Sequence, residues 1–194
     1  MFQTTLYSKT ERPFKLMSHR FSDDIPRLAA RLFFTAALLF SLPAPAAPRV
    51  ATSDWTVAET LTAMGHPPVS VADRRVYDTW VNHPPLPAAV KEAGLRFQPN
   101  LERLYQIKPD FFVQSSWYAA AKSQFEKIAP VREVDFGTAK GIEYAHTVEA
   151  TRRLGKIIGD PAAAEKLISC TENLFARAKP ALSAYRRRPF AVVQ

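Results

Sequence analysis

Cysteine is nearly absent: Cys170 is the single one in 194 residues. One thiol closes no internal disulfide and anchors no cysteine-rich metal cluster, and a buried structural thiol is the ordinary expectation for it. Glycine is scarce as well, with six in the chain, and no Gly-x-Gly-x-x-Gly, Walker or Gly-x-Ser-x-Gly segment occurs. A phosphate-cradling loop or a nucleophile elbow therefore has no material here. The four histidines, His19, His66, His83 and His146, form no His-x-x-x-His pair. His66 and His83 both precede Pro-Pro and are expected in surface turns. No acid-base pair or nucleophile is advertised, so the chain is not expected to be an enzyme, and no resident cofactor or metal is expected.

What is present begins with charge. The formal net charge is +8, but residues 1–46 contribute six basic and three acidic residues, leaving 20 basic and 15 acidic ones beyond them. That moderate excess lacks the aromatic and basic interleaving of nucleic-acid binders. The run Arg186-Arg187-Arg188 follows a long helical pattern and suits a helix C-terminus.

Arg27 and Arg31 lead into an apolar run from Leu32 to Leu42, of signal-peptide length and too short to span a bilayer comfortably. Ala44 and Ala46 meet the small-x-small rule for cleavage. Residues 1–46 are therefore expected to be a signal peptide, with either Met1 or Met17 as the start. The arginines are not adjacent and no cysteine follows to accept a lipid, which favours the general secretory route and the periplasm.

Beyond the leader the pattern alternates. Val50-Ala51-Thr52 predicts a strand and Thr56 to Met64 a helix, closed by Gly65 and Pro67-Pro68. Val69 to Ala72 is a second short strand, and Asp73 to Leu95 shows no sustained period. A helix that starts at Pro99 and ends before Pro109, a strand over Phe111 to Gln114, a helix over Ala119 to Ile128 and a strand over Val131 to Phe136 follow. Such alternation implies an α/β fold with a parallel sheet flanked by helices. Two long helical patterns come next, over Ile142 to Ile158 and Ala162 to Arg187, with Asp160 as N-cap and Pro161 at the first helical position of the second. Phe190 to Gln194 reads as the opening of another strand.

Aromatic and cationic residues gather at the predicted C-terminal strand ends and the loops after them: Trp55, Tyr77, Trp80, Arg96, Trp117 and Tyr118. Open parallel sheets bind ligands at that edge. Each ring taken singly is ordinary packing; their shared placement is what points to a binding face.

Trp55, Glu59-Thr60-Leu61, Ala63-Met64-Gly65, Val71-Ala72-Asp73, Tyr77, Trp80-Val81, Pro84-Pro85-Leu86-Pro87, Gly94-Leu95-Arg96, Pro99-Asn100-Leu101-Glu102 and Lys108-Pro109-Asp110 together form a pattern. It resembles the periplasmic binding proteins for ferric hydroxamate, ferrichrome-type siderophores, which serve iron ABC importers. The resemblance implies a helical-backbone fold of two α/β lobes. Residues 47–140 would be the N-terminal lobe, 141–188 the helical segment with the lobe-connecting helix, and 189–194 the first strand of a C-terminal lobe that is otherwise missing. It also implies that Arg96 and Tyr118 hydrogen-bond hydroxamate oxygens and that Trp80, with Trp55 as a weaker candidate, walls the cleft. Ser116-Trp117 departs from the smaller residues expected there. The implied partners are a ferric hydroxamate siderophore and an inner-membrane ABC permease, with the protein a monomer and the iron held by its chelator alone. Haem, a corrinoid or a catecholate siderophore are competing cargoes for the same fold. A secreted hydrolase or structural α/β domain with no transport role is the reading from another class.

Overall fold

The computed structural model describes residues 47–138 and 141–185. The expected signal peptide, the Arg186-Arg187-Arg188 run and the strand from Phe190 lie outside the described residues. Five parallel strands form one sheet: β1 (Val50–Thr52), β2 (Ser70–Val71), β3 (Lys91–Glu92), β4 (Phe111–Gln114) and β5 (Val131–Glu133). Their order is β3-β2-β1-β4-β5. The chain winds outward from β1 to β3, then returns to the far side of β1 with β4. Loops leaving the C-terminal ends of β1 and β4 consequently run to opposite faces of the sheet, making this the switch point at which open parallel sheets bind ligands.

Period-two alternation divides the strand side chains between two cores. Val50, Phe111 and Val113 face α1 (Trp55–Ala63) and α5 (Tyr144–Ile158), burying Val57, Leu61, Leu154 and Ile158 with them. Ala51 and Phe112 face the other way, onto Leu104 of α3 (Leu101–Ile107) and Phe125 of α4 (Lys122–Phe125). A third cluster joins Val71 to Tyr77 of α2 (Arg74–Trp80) and to Leu86 and Val90. The long helix α6 (Pro161–Ala181) starts as its sequence predicts: Asp160 accepts a hydrogen bond from the Ala163 amide at 2.9 Å, and Pro161 occupies the first turn. It crosses α5 closely at Gly155, where a Cβ would stand 2.6 Å from that of Ala164.

Three expectations need correction. The stretch from Asp73 to Leu95 holds α2 and β3, seven and two residues long, too short to show a period. Residues Ser116–Ala121 form a 3-10 turn that only becomes α-helical at Lys122. Cys170 is exposed, because the buried stripe of α6 runs through Ala164 and Ile168 and leaves the thiol on the outer face. No described helix is long and apolar enough to cross a membrane.

Candidate ligand-binding face at the switch point

Asp54 is the polar centre where β1 and β4 diverge. It caps α1, one carboxylate oxygen accepting from the amides of Thr56 at 2.8 Å and Val57 at 3.3 Å. The other accepts from the Ser115 hydroxyl, just past β4. Gln114 completes the tie between the two strands, its Oε1 accepting from the Ser53 amide at 2.9 Å. Capping and inter-strand tethering thus use the same buried carboxylate, which fixes where Trp55 and Tyr118 emerge.

Arg96 arrives from the opposite side on a small closed loop. Leu95 and Gln98 exchange amide-to-carbonyl hydrogen bonds at 3.2 Å each, and Gly94 bridges to Pro99 beneath them. Gly94 has φ +93° and a Cβ there would meet the Asn100 nitrogen at 2.5 Å, so only glycine fits this base. Arg96 and Phe97 are left at the tip. The guanidinium carbon of Arg96 lies 4.0 Å from the Trp55 ring centroid, a cation-π placement. Trp55 is itself fixed by its indole N–H donating to the Ala72 carbonyl at 2.9 Å, and by an edge contact with the Tyr77 ring at 6.1 Å. Asp73 stands behind: its carboxylate accepts from the Arg96 amide at 3.2 Å and lies 3.4 Å from Arg96 Nε. That separation is an ion pair without hydrogen-bond geometry, and Nε is buried with no hydrogen-bond partner.

Tyr118 faces this cluster and stacks on Phe97 with centroids 5.4 Å apart and planes 21° from parallel. Burial pushes its phenol pKa up, Asp54 adds to the rise, and the neighbouring Arg96 pulls against it by charge and hydrogen bonding. The phenol remains protonated and able to donate at neutral pH. Together these groups offer a planar cationic fork, a phenolic donor and ring faces, a set suited to an electron-rich oxygen surface carried on an organic scaffold. Among the described residues no three His, Cys, Asp or Glu side chains stand close enough together to hold a metal ion.

Of the residues nominated from sequence, Arg96, Trp55 and Tyr118 come together. Trp80 ends α2 with 76 % of its surface exposed and makes no ring or cation contact with the other three. Tyr77 belongs to the core, fully buried, with its pKa raised to about 12 by burial first and then by Glu59 and Asp78. Trp117 is 83 % exposed beside Tyr118. His66 is more than a turn residue: its Nε2 lies 2.8 Å from the Asp160 carboxylate, pinning the turn after α1 to the start of α6. Sequence reasoning missed Asp54, Asp73, Ser115 and Phe97. The available signal was position, since Ser115 follows β4 directly and Asp54 and Asp73 each stand two residues beyond the ends of β1 and β2.

A cavity of about 740 Å³ lies at the other edge of the sheet, lined by Pro67, Val69, Val90, Lys91, Arg103 and Ile107 among others. It touches neither Arg96 nor the residues around it.

The family model described as "Periplasmic binding protein" (Peripla_BP_2) matches residues 50–194. The iron(3+)-hydroxamate-binding protein FhuD of Escherichia coli is 33 % identical over 141 residues, covering 73 % of this chain and 47 % of that protein. The chain thus spans about half the length of the curated relatives it matches. Among solved structures, the siderophore-binding protein FhuD from Vibrio cholerae, bound to Fe3+-Desferal, superposes with TM-score 0.65 at 24 % identity, over 72 % of this chain and 52 % of that one. The periplasmic catecholate-siderophore binding protein VctP, also from Vibrio cholerae, superposes with TM-score 0.54 at 22 % identity, over 72 % and 50 % respectively. Identities this low speak for the fold, and the sheet described above is theirs. Matched over all but its first 49 residues, the chain belongs to the periplasmic binding protein family.

Proposed function

We propose that the chain captures iron(III)-hydroxamate siderophores in the periplasm and delivers them to an inner-membrane ABC permease, with the Arg96 face as the ligand-contacting surface. The observation that carries this reading is the Arg96 guanidinium placed 4.0 Å from the Trp55 ring centroid, next to Phe97 and the Tyr118 ring stacked on it. Hydroxamate oxygens wrapped around iron(III) are hard, electron-rich acceptors, and a fork and a phenol aimed at them form charge-assisted hydrogen bonds. The chelator fills the coordination sphere, so the protein supplies no iron ligand of its own, and the cargo rather than a cofactor holds the metal. Phe97, Trp117 and Trp80 offer ring surface for the organic backbone. The relative from Escherichia coli supports this cargo by its name and its identity.

Titration of the exported chain with ferrichrome or iron(III)-desferrioxamine B, followed by tryptophan quenching, tests the reading. Arg96→Ala removes a charge-assisted contact worth about 1.5 to 3 kcal/mol and is expected to weaken binding by about tenfold or more. Equal affinity of the native and Arg96→Ala chains would remove the site from this face.

A further inference from the structure

Asp73 does more than hold a loop. Its backbone sits in the left-handed region, at φ 51° and ψ 36°, which glycine enters freely and which asparagine and aspartate enter with the help of local side-chain hydrogen bonds. The chain adopts it where the residue's amide donates to the Gly94 carbonyl at 2.8 Å and its carboxylate meets both the amide and Nε of Arg96. The consequence is electrostatic. Asp73 lies with 22 % of its side chain exposed against an Arg96 side chain 36 % exposed, so the two charges are only partly screened by water. Asp54, 9 % exposed, adds a second negative charge to the same neighbourhood, felt at the Tyr118 phenol. Arg74, next to Asp73, points elsewhere and donates to the Pro87 carbonyl at 3.3 Å.

We infer that Asp73 sets the charge preference of this face: by neutralising Arg96 it makes the surface accept neutral and cationic iron(III) chelates and turn away anionic ones. The inference rests on the proposed siderophore cargo. Arg96 still offers its hydrogen-bond donors, but its charge is already matched from behind. A guest that brings carboxylates or catecholates meets two protein carboxylates and one guanidinium, and like-charge juxtaposition disfavours it.

One ligand framework provides the test. Iron(III)-desferrioxamine B carries a free ammonium tail, its N-acetyl derivative is neutral overall, and its N-succinyl derivative ends in a carboxylate; the iron centre is identical in all three. The full chain should bind the ammonium and acetyl forms more tightly than the succinyl form. Asp73→Asn keeps an acceptor for the Arg96 amide and suits the left-handed backbone. It should raise the affinity for the succinyl form relative to the ammonium form by about tenfold at low salt, an advantage that shrinks in about 1 M salt. Asp73→Gly, equally compatible with positive φ, should shift the preference in the same direction and serves if the asparagine variant folds poorly. An unchanged order of affinities in both variants overturns the role given to Asp73 while leaving the cargo intact. Binding of none of the three complexes by the native chain overturns the cargo reading and this inference with it.

Discussion

The two edges of the sheet use similar residues to opposite ends. At the N-terminal edge Arg49 is engaged by its own chain: its amide donates to Asp110 at 2.7 Å, and its guanidinium to the carbonyls of Lys108 and Ile107 at 3.2 and 2.6 Å. Those carbonyls end α3, so the arginine serves as a C-terminal cap. At the C-terminal edge Arg96 is held by a ring face and a carboxylate, and its Nε makes no hydrogen bond. One guanidinium closes the fold and the other is presented. An arginine's role is therefore decided by whether backbone carbonyls reach its fork, which composition alone does not reveal.

Three substitutions sharpen this contrast. The largest effect is expected from Tyr77→Ala, which empties the buried ring beneath Trp55. About 3 to 5 kcal/mol should be lost in urea unfolding, together with siderophore binding, because Trp55 and then Arg96 lose their backing. Asp54→Ala removes the α1 cap and strands the Ser115 hydroxyl; about 2 kcal/mol is expected from the two together, and Tyr118 should titrate lower once the negative charge beside it is gone. The smallest effect belongs to the other edge. Arg49→Ala should cost about 1 kcal/mol and leave ligand affinity where it was. A loss of affinity there matching that of Arg96→Ala would erase the distinction between the edges.

Legibility in the sequence followed element length and the source of each constraint. Val50–Thr52 and Phe111–Gln114 were readable to the residue, because β-prone runs bounded by polar or proline positions have few alternatives. The start of α6 was readable from Asp160-Pro161. Lys91–Glu92 was not, since two charged residues on an edge strand carry no hydrophobic pattern and pair only because β2 is already in place. The site divides in the same way. Trp55, Arg96 and Tyr118 could be nominated by their places after strands, and the family resemblance assigned them roles. Asp73 had only its place after β2 to mark it, and Phe97 had nothing, because their significance depends on contacts across the fold, to Arg96 and to Tyr118. Trp80 was nominated by its type and position, and its exposed indole makes no ring contact with Trp55 or Tyr118.

The closed loop carrying Arg96 and Phe97 has a kinetic consequence. Reciprocal Leu95 and Gln98 hydrogen bonds over a Gly94–Pro99 bridge fix the loop's backbone during folding, so a guest does not have to order it on arrival. Encounter can then proceed without a slow rearrangement on this side. Substitutions at the tip should accordingly register as shorter residence times of the bound complex, with the rate of capture little changed.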